Sequence, residues 1–259
     1  MHYFDQHMHT YYSYDSEERF ENYLPRAAGK YLVTTEHLDV NNPYTGYQDD
    51  YPDYDGYAAE IATLNEQYGN RILKGIEIGY TPGDRNEIRA YLEGKDYDVM
   101  LLSVHQNGKY DFMQKEILLQ TLEETMAQYY GLMLAAATDF KEANIMTHFD
   151  YGLRLYDVEV EDLKKVEPLL LQVFKKAVEN DLAFELNSKS MYKYGNAHLY
   201  EYAIDLYKNV GGTLFTVGSD AHIAEDYECH FDTIFAMLKR HGIQQLVVFH
   251  DQQPTMVKI

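Results

Sequence analysis

The chain has 259 residues, with 42 acidic and 22 basic side chains and a formal charge of -20. A field of that sign repels phosphate backbones at long range, so a nucleic-acid substrate is not expected. No apolar run reaches the roughly 18 residues of a membrane helix, no basic stretch followed by an apolar core opens the chain, and the lone Cys229 leaves no internal disulfide, which fits a reducing cytoplasm.

The length suits one sizeable core, and no composition shift marks a boundary, so residues 1–259 are expected to form a single domain. The first ten residues read as a strand ending in His7-x-His9. A polar loop with Asp15 follows, then a helix from a Ser16 cap towards Ala28, stopped by Gly29. Tyr31 to Thr35 is β-rich and reads as strand two, ending at Glu36-His37. Asn41 to Gly56 is rich in Tyr, Asp, Pro and Gly and reads as a long surface loop with the makings of a lid; helical spacing resumes at Tyr57.

Arg71 to Ile78 is strand three, carrying Glu77, and Asn86 to Leu92 a short helix. Tyr97 to Ser103 is strand four, before His105. A helix spans about Gln114 to Thr138. Asn144 to Thr147 is strand five, before His148. Val160 to Asn180 is an amphipathic helix with Leu163, Val166, Leu170, Val173 and Phe174 on one stripe. Leu182 to Leu186 is strand six, Asn196 to Asn209 a helix broken by Gly211-Gly212, and Thr213 to Val217 strand seven, before Asp220 and His222. Glu225 to His241 is a final helix and Leu246 to Phe249 a last short strand.

Strands alternating with helices argue for βαβ units and a parallel sheet, and seven main strands for a closed or nearly closed α/β barrel. Residues two apart on an extended chain share a face, so His7 and His9 can hold one ion together. The recurrence matters more than the pair. Glu36-His37, Glu77, His105, His148 and Asp220-x-His222 all stand at strand ends, where α/β barrels place their active sites. Imidazole and carboxylate ligands without cysteine suit Zn, Mn or Fe. The candidates outnumber the roughly four ligands of one zinc ion, which points to a cluster of two or three. His2, His198, His230, His241 and His250 fall outside this pattern and read as structural or exposed.

His7-x-His9, Thr35-Glu36-His37, Gly75-Ile76-Glu77-Ile78-Gly79, Ser103-Val104-His105, His148-Phe149-Asp150 and Ser219-Asp220-Ala221-His222 resemble, in order, the motifs of the PHP (polymerase and histidinol phosphatase) superfamily, in particular its monofunctional histidinol-phosphatases. The resemblance covers nearly the whole chain. It implies a distorted (βα)7 barrel of TIM type with a trinuclear divalent-metal site. Carried over by motif, His7, His9, Glu77 and Asp220 would hold one ion, Glu77, His105 and His148 a second, and Asp15, His37 and His222 a third. Many relatives place a histidine where this chain has Asp15.

The segment Glu185-Leu186-Asn187-Ser188-Lys189-Ser190 is similar to the family's Glu-x-Asn-Thr-Ser-Gly, with Lys-Ser in place of Ser-Gly. The activity implied is hydrolysis of L-histidinol phosphate to L-histidinol and phosphate, in histidine biosynthesis, by a metal-bridging hydroxide attacking phosphorus in line. Glu77, Asp220 and His222 are the expected catalytic residues, the last two as proton guides. Arg154 is the expected phosphate contact, because guanidinium binds phosphate in a bidentate fork, with Lys189 a second.

Three readings compete: a phosphoesterase on a nucleotide, sugar or other small phosphate, a nuclease, which the acidic charge disfavours, and a metal-binding regulator without catalysis, which the intact ligand set disfavours. An amidohydrolase is a further possibility, but its usual carbamylated lysine has no place here.

Overall fold

Short aliphatic runs that are apolar on both faces must be covered on both sides, and the helices between them each carry one apolar stripe for that purpose. In the computed structural model, which describes residues 2–69 and 71–259, these runs become β1 (Leu32–Asn42), β3 (Ile72–Gly79), β4 (Val99–Ser103), β5 (Ile145–Met146), β6 (Ala183–Asn187) and β7 (Phe215–Gly218), with β2 (Gln48–Asp50) added at one edge. The order across the seven-stranded sheet is β2-β1-β3-β4-β5-β6-β7. Every pairing is parallel except β2 with β1. The connecting helices are α1 (Phe20–Ala27), α2 (Tyr54–Tyr68), α3 (Arg85–Leu92), α4 (Leu122–Asp139), α5 (Val160–Glu179), α6 (Ala197–Asn209) and α7 (Phe231–Arg240). Leu163, Leu170, Val173 and Phe174 of α5 are buried, as its stripe requires. A hairpin of β8 (Gln245–His250) and β9 (Gln253–Lys258) ends the chain.

The expected first strand starts at Met1, outside the described residues, and the rest of it makes only an isolated parallel bridge, Met8 with Ala221. Its backbone is nonetheless bonded on both sides. Asp220 N donates to His7 O at 2.8 Å and His9 N to Ala221 O at 2.8 Å, while Thr35 N donates to Met8 O at 2.7 Å. The Gln6 side chain adds bonds to Thr216 Oγ1, Val247 O and Phe249 N. The segment therefore runs between β7 and β1 without the repeated register of a strand.

Other boundaries differ for physical reasons. β1 runs through Glu36-His37 to Asn42, because residues 39–42 gain an antiparallel partner in β2. That pairing also gives the expected open loop at 41–56 a short strand, and the Asp53 side chain caps α2 by accepting from Gly56 N. Helix α1 starts four residues after Ser16, whose hydroxyl instead donates to His222 O. The expected helix from Gln114 splits into a 3-10 turn (Lys115–Leu119) and α4, which a reciprocal Thr121–Glu124 capping box starts afresh. Helix α7 begins at Phe231, not Glu225. The hairpin turn Asp251-Gln252 has φ of 50° and 58° without glycine, so no glycine signalled β9. Among the described residues, no helix is long and apolar enough to cross a membrane.

Candidate metal centre

The ligand candidates converge at the carboxyl ends of the parallel strands because the register aligns them. His37 of β1 stands directly across from Glu77 of β3. His105, His148 and Asp220 follow two residues after β4, β5 and β7. Asp220 takes φ of 55°, a left-handed conformation that Asp tolerates better than most residues and that turns its side chain back over the sheet.

Glu77 is the hub. Its Oε2 lies 3.2 Å from His7 Nε2, 3.4 Å from His9 Nε2 and 3.2 Å from His37 Nδ1. Its Oε1 lies 3.2 Å from His105 Nε2 and 2.8 Å from His148 Nε2. His9 Nε2 is 3.7 Å from Asp220 Oδ1. Towards the mouth, Asp15 lies 3.5 Å from His37 Nε2 and 3.0 Å from His222 Nε2. All nine expected ligands thus stand in one cluster. Four triads within it, His7-His9-Asp220, His7-Glu77-His148, His37-Glu77-His105 and His9-His37-His222, each bring three donor atoms within 4.8 Å of one another.

A divalent cation fits this cluster on a specific ground. His7 Nε2, His9 Nε2, His37 Nδ1 and Glu77 Oε2 are buried and have no hydrogen-bond partner among the described residues. Buried polar atoms are almost always satisfied. Four such orphans in one cluster are satisfied by cations that accept their lone pairs.

Hydrogen bonds behind the cluster set the ring orientations. Glu185 Oε1 accepts from His7 Nδ1 at 2.6 Å, which leaves Nε2 facing inward. Asp39 Oδ1 accepts from His105 Nδ1 at 3.0 Å. Ser13 Oγ accepts from His9 Nδ1 at 3.1 Å and donates to Glu36 at 2.6 Å. Each carboxylate fixes a tautomer and raises the donor strength of its imidazole. Glu36, Asp39 and Glu185 thus stand behind the ligands and orient them. Ser13 is the member the sequence did not signal.

Burial opposes the charge of Glu77, but the surrounding His7, His105 and His37 hold its carboxyl well below the usual range. Burial, with His37 and His222 nearby, holds His9 well below its usual value and hence neutral, as a ligand must be. Burial also lowers His148. For His7, Glu77 and Glu185 outweigh burial and raise the value. An ion binding there would displace that proton.

A cavity over the cluster is lined by Tyr14, Tyr44, Asp111, Tyr151, Arg154, Lys189 and Tyr194 as well as the ligands. Arg154 is buried, with Nη2 donating to Asp220 Oδ2 at 3.1 Å and Nε to Ser190 Oγ at 2.9 Å. Lys189 Nζ donates to Asp220 Oδ1 at 3.0 Å and lies 3.2 Å from His222 Nδ1. A π-helical turn, Lys189–Lys193, just after β6 brings Lys189 to the cavity and Ser190 against Arg154. Asp111 and the tyrosines were not singled out from the sequence, since nothing local distinguishes them from other acidic and aromatic residues. Away from the site, His198 Nε2 donates to Val158 O, and His230 stacks on Tyr192.

Comparison with known proteins accords with this geometry. The Histidinol-phosphatase of Lactococcus lactis subsp. lactis (strain IL1403) is 25% identical over 254 residues, 95% of this chain and 93% of that protein. The Probable histidinol-phosphatase of Clostridium acetobutylicum is 27% identical over 250 residues, 93% of this chain and 94% of that protein. The crystal structure of histidinol phosphate phosphatase from Lactococcus lactis subsp. lactis Il1403, complexed with Zn, L-histidinol and phosphate, has the same fold, with a TM-score of 0.86 at 23% identity over 97% of this chain and 98% of that one. A model of the PHP domain matches residues 5–189, which hold the segments carrying His7, His9, Asp15, His37, Glu77, His105 and His148. With more than half of its length matched, the chain belongs to the PHP domain family.

Proposed function

We propose that the protein is a metal-dependent phosphomonoesterase, a histidinol-phosphatase that hydrolyses L-histidinol phosphate. The observation that carries the chemistry is the set of three unpartnered buried imidazole nitrogens around Glu77 Oε2, itself unpartnered among the described residues. The substrate rests on the similarity to histidinol-phosphatases along almost the full length of both chains. The same reading takes the fold as a distorted (βα)7 barrel, one domain over residues 1–259, with Gln6 to His9 filling the gap between β7 and β1. It takes the protein as a cytoplasmic enzyme of histidine biosynthesis.

His7, His9, Glu77 and Asp220 would hold one ion, Glu77, His105 and His148 a second, and Asp15, His37 and His222 a third, with Zn, Mn or Fe suited to these donors. Such ions supply Lewis acidity and a nucleophile from water at neutral pH. The chain's own residues do the rest. Glu185, Asp39 and the Glu36–Ser13 pair hold their imidazoles in the binding tautomer. Arg154 and Lys189 present positive charge to the phosphoryl oxygens, each already steered by Asp220. Asp220 and His222, the latter at the solvent edge of the cluster beside Asp15 and Lys189, are the groups placed to guide protons. Tyr14, Tyr44, Tyr151 and Tyr194 wall the cavity against bulk water.

Phosphate release from L-histidinol phosphate is measured beside nucleotide, sugar and amino-acid phosphates, after loading with Zn or Mn. A kcat/KM for histidinol phosphate orders of magnitude above the rest is expected. Comparable, weak rates would leave a phosphoesterase of another small monoester, a reading that Lys189 in place of the family's usual serine favours.

A further inference from the structure

The cavity over the metal cluster is polar in an asymmetric way. Its cations, Arg154 and Lys189, stand on the Asp220 side. On another wall is a carboxylate with no such partner. Asp111 is 2% exposed, yet it lines the cavity, and among the described residues no Lys, Arg or His nitrogen lies within 4.0 Å of it. Oδ1 accepts from Met113 N at 2.6 Å and from Tyr151 OH at 3.2 Å, whereas among the described residues Oδ2 has only the same hydroxyl at 3.5 Å. One oxygen is therefore nearly free. Burial pushes this carboxyl up to about 6. Buried carboxylates are ordinarily paired or hydrogen-bonded throughout, and one left half-satisfied in a ligand cavity waits for a cation.

Tyr151 links this wall to the chemistry. Its ring centroid is 5.0 Å from both His105 and His148, and the Arg154 guanidinium lies 4.8 Å from the same ring. Phosphate-binding and carboxylate walls are thus separated by one tyrosine. Tyr14 and Tyr44, with centroids 6.5 Å apart, add aromatic faces to the cavity. Aromatic faces beside a carboxylate suit an organic cation, by ring quadrupole and by charge.

We propose that Asp111, with Tyr14, Tyr44 and Tyr151, forms a subsite for the cationic end of the substrate, selecting phosphate monoesters whose alcohol carries an ammonium or imidazolium group. This deepens the phosphatase reading and rests on it for the position of the phosphate. Histidinol phosphate is one member of the class, since its alcohol carries both an amine and an imidazole.

The experiment compares kcat/KM of the metal-loaded protein for two cationic esters, L-histidinol phosphate and phosphoethanolamine, and for two without a cation, glycerol 3-phosphate and p-nitrophenyl phosphate. Wild type is expected to prefer the cationic class. Asp111→Asn is expected to lose about tenfold or more on the cationic esters, the scale of an unpaired buried charge partner, while changing the neutral esters by less than about threefold. Asp111→Glu, which keeps the charge, should retain part of the preference. Bound metal and melting temperature, measured on both variants, track the fold.

A wild type that does not discriminate by charge overturns the subsite. So does an Asp111→Asn variant that lowers both classes equally, or one that keeps the preference. If wild type favours phosphoethanolamine over histidinol phosphate and Asp111→Asn removes that preference, the histidinol reading fails and the subsite stands. If histidinol phosphate is favoured and Asp111→Asn leaves that unchanged, the reverse holds.

Discussion

Glu77 Oε2, ringed by three imidazole nitrogens at 3.2 to 3.4 Å, is where single-residue changes have the largest effect. Replacing Glu77 or His148 by Ala removes a donor shared with the rest of the cluster. Each variant is expected to lose at least one bound metal, by elemental analysis, and nearly all turnover. Wild-type metal content in both would take these residues out of the ligand set. The bonds behind the cluster belong to the same scale. Ser13 Oγ meets His9, Glu36 and the His37 amide, so one hydroxyl holds two ligands. Groups in that position commonly account for about 10–100-fold in metal affinity or activity.

At the scale of elements, the strand ends must approach closely for their side chains to meet. Gly218 closes β7, and a Cβ there would overlap the Glu185 carboxylate and the His7 Cβ. Gly218→Ala should therefore push Glu185 off His7 Nδ1. Weaker metal retention under a chelator challenge is expected, with the ligand set itself intact; unchanged retention would mean that Glu185 does not govern His7. The helices depend on a different clasp. His241, just after α7, holds Asp205 at 2.9 Å and Glu201 at 2.5 Å, both on α6. Burial lowers its pKa, and the two carboxylates outweigh that and raise it above the ordinary 6.5. A folded value above the unfolded one contributes stability that is present below 6.5 and lost as pH rises through the raised value. The melting-temperature gap between wild type and His241→Ala should thus be widest just below pH 6.5 and close in alkali. A gap independent of pH would assign this histidine a packing role alone.

For the whole molecule, the unpartnered cluster makes metal a folding ligand. Anything that binds the folded state stabilises it by RT ln(1 + [L]/Kd), about 2.7 kcal/mol at a hundredfold excess over Kd. Chelation is expected to lower the melting temperature by several degrees, and Zn or Mn to restore it. A melting temperature indifferent to chelator would argue against a resident cation. The formal charge of -20 acts on the same scale, disfavouring polyanions at long range while the local cations Arg154 and Lys189 face the cavity.

The sequence alone determined the alternation of strands and helices, the position of most of them, and eight of the nine ligand candidates, Asp15 coming only with the family resemblance. Those signals are local: two-residue and helical periodicities, and histidines and carboxylates placed where apolar runs stop. The tertiary structure alone decided what depends on distant neighbours. β1 extends to Asn42 because β2 folds back on it, and the first segment lacks a strand's register because most of its bonds on the β7 side fall past the end of that strand, on Asp220 and Ala221. The Asp251-Gln252 turn uses positive φ without glycine, so its hairpin left no local mark. Asp111 and Ser13 matter only through residues they meet in space. Asp111 meets Tyr151, 40 residues on, and Ser13 meets Glu36, 23 residues on. No pattern of spacing records such a meeting, because the backbone in between contributes distance in sequence but none in the folded cavity.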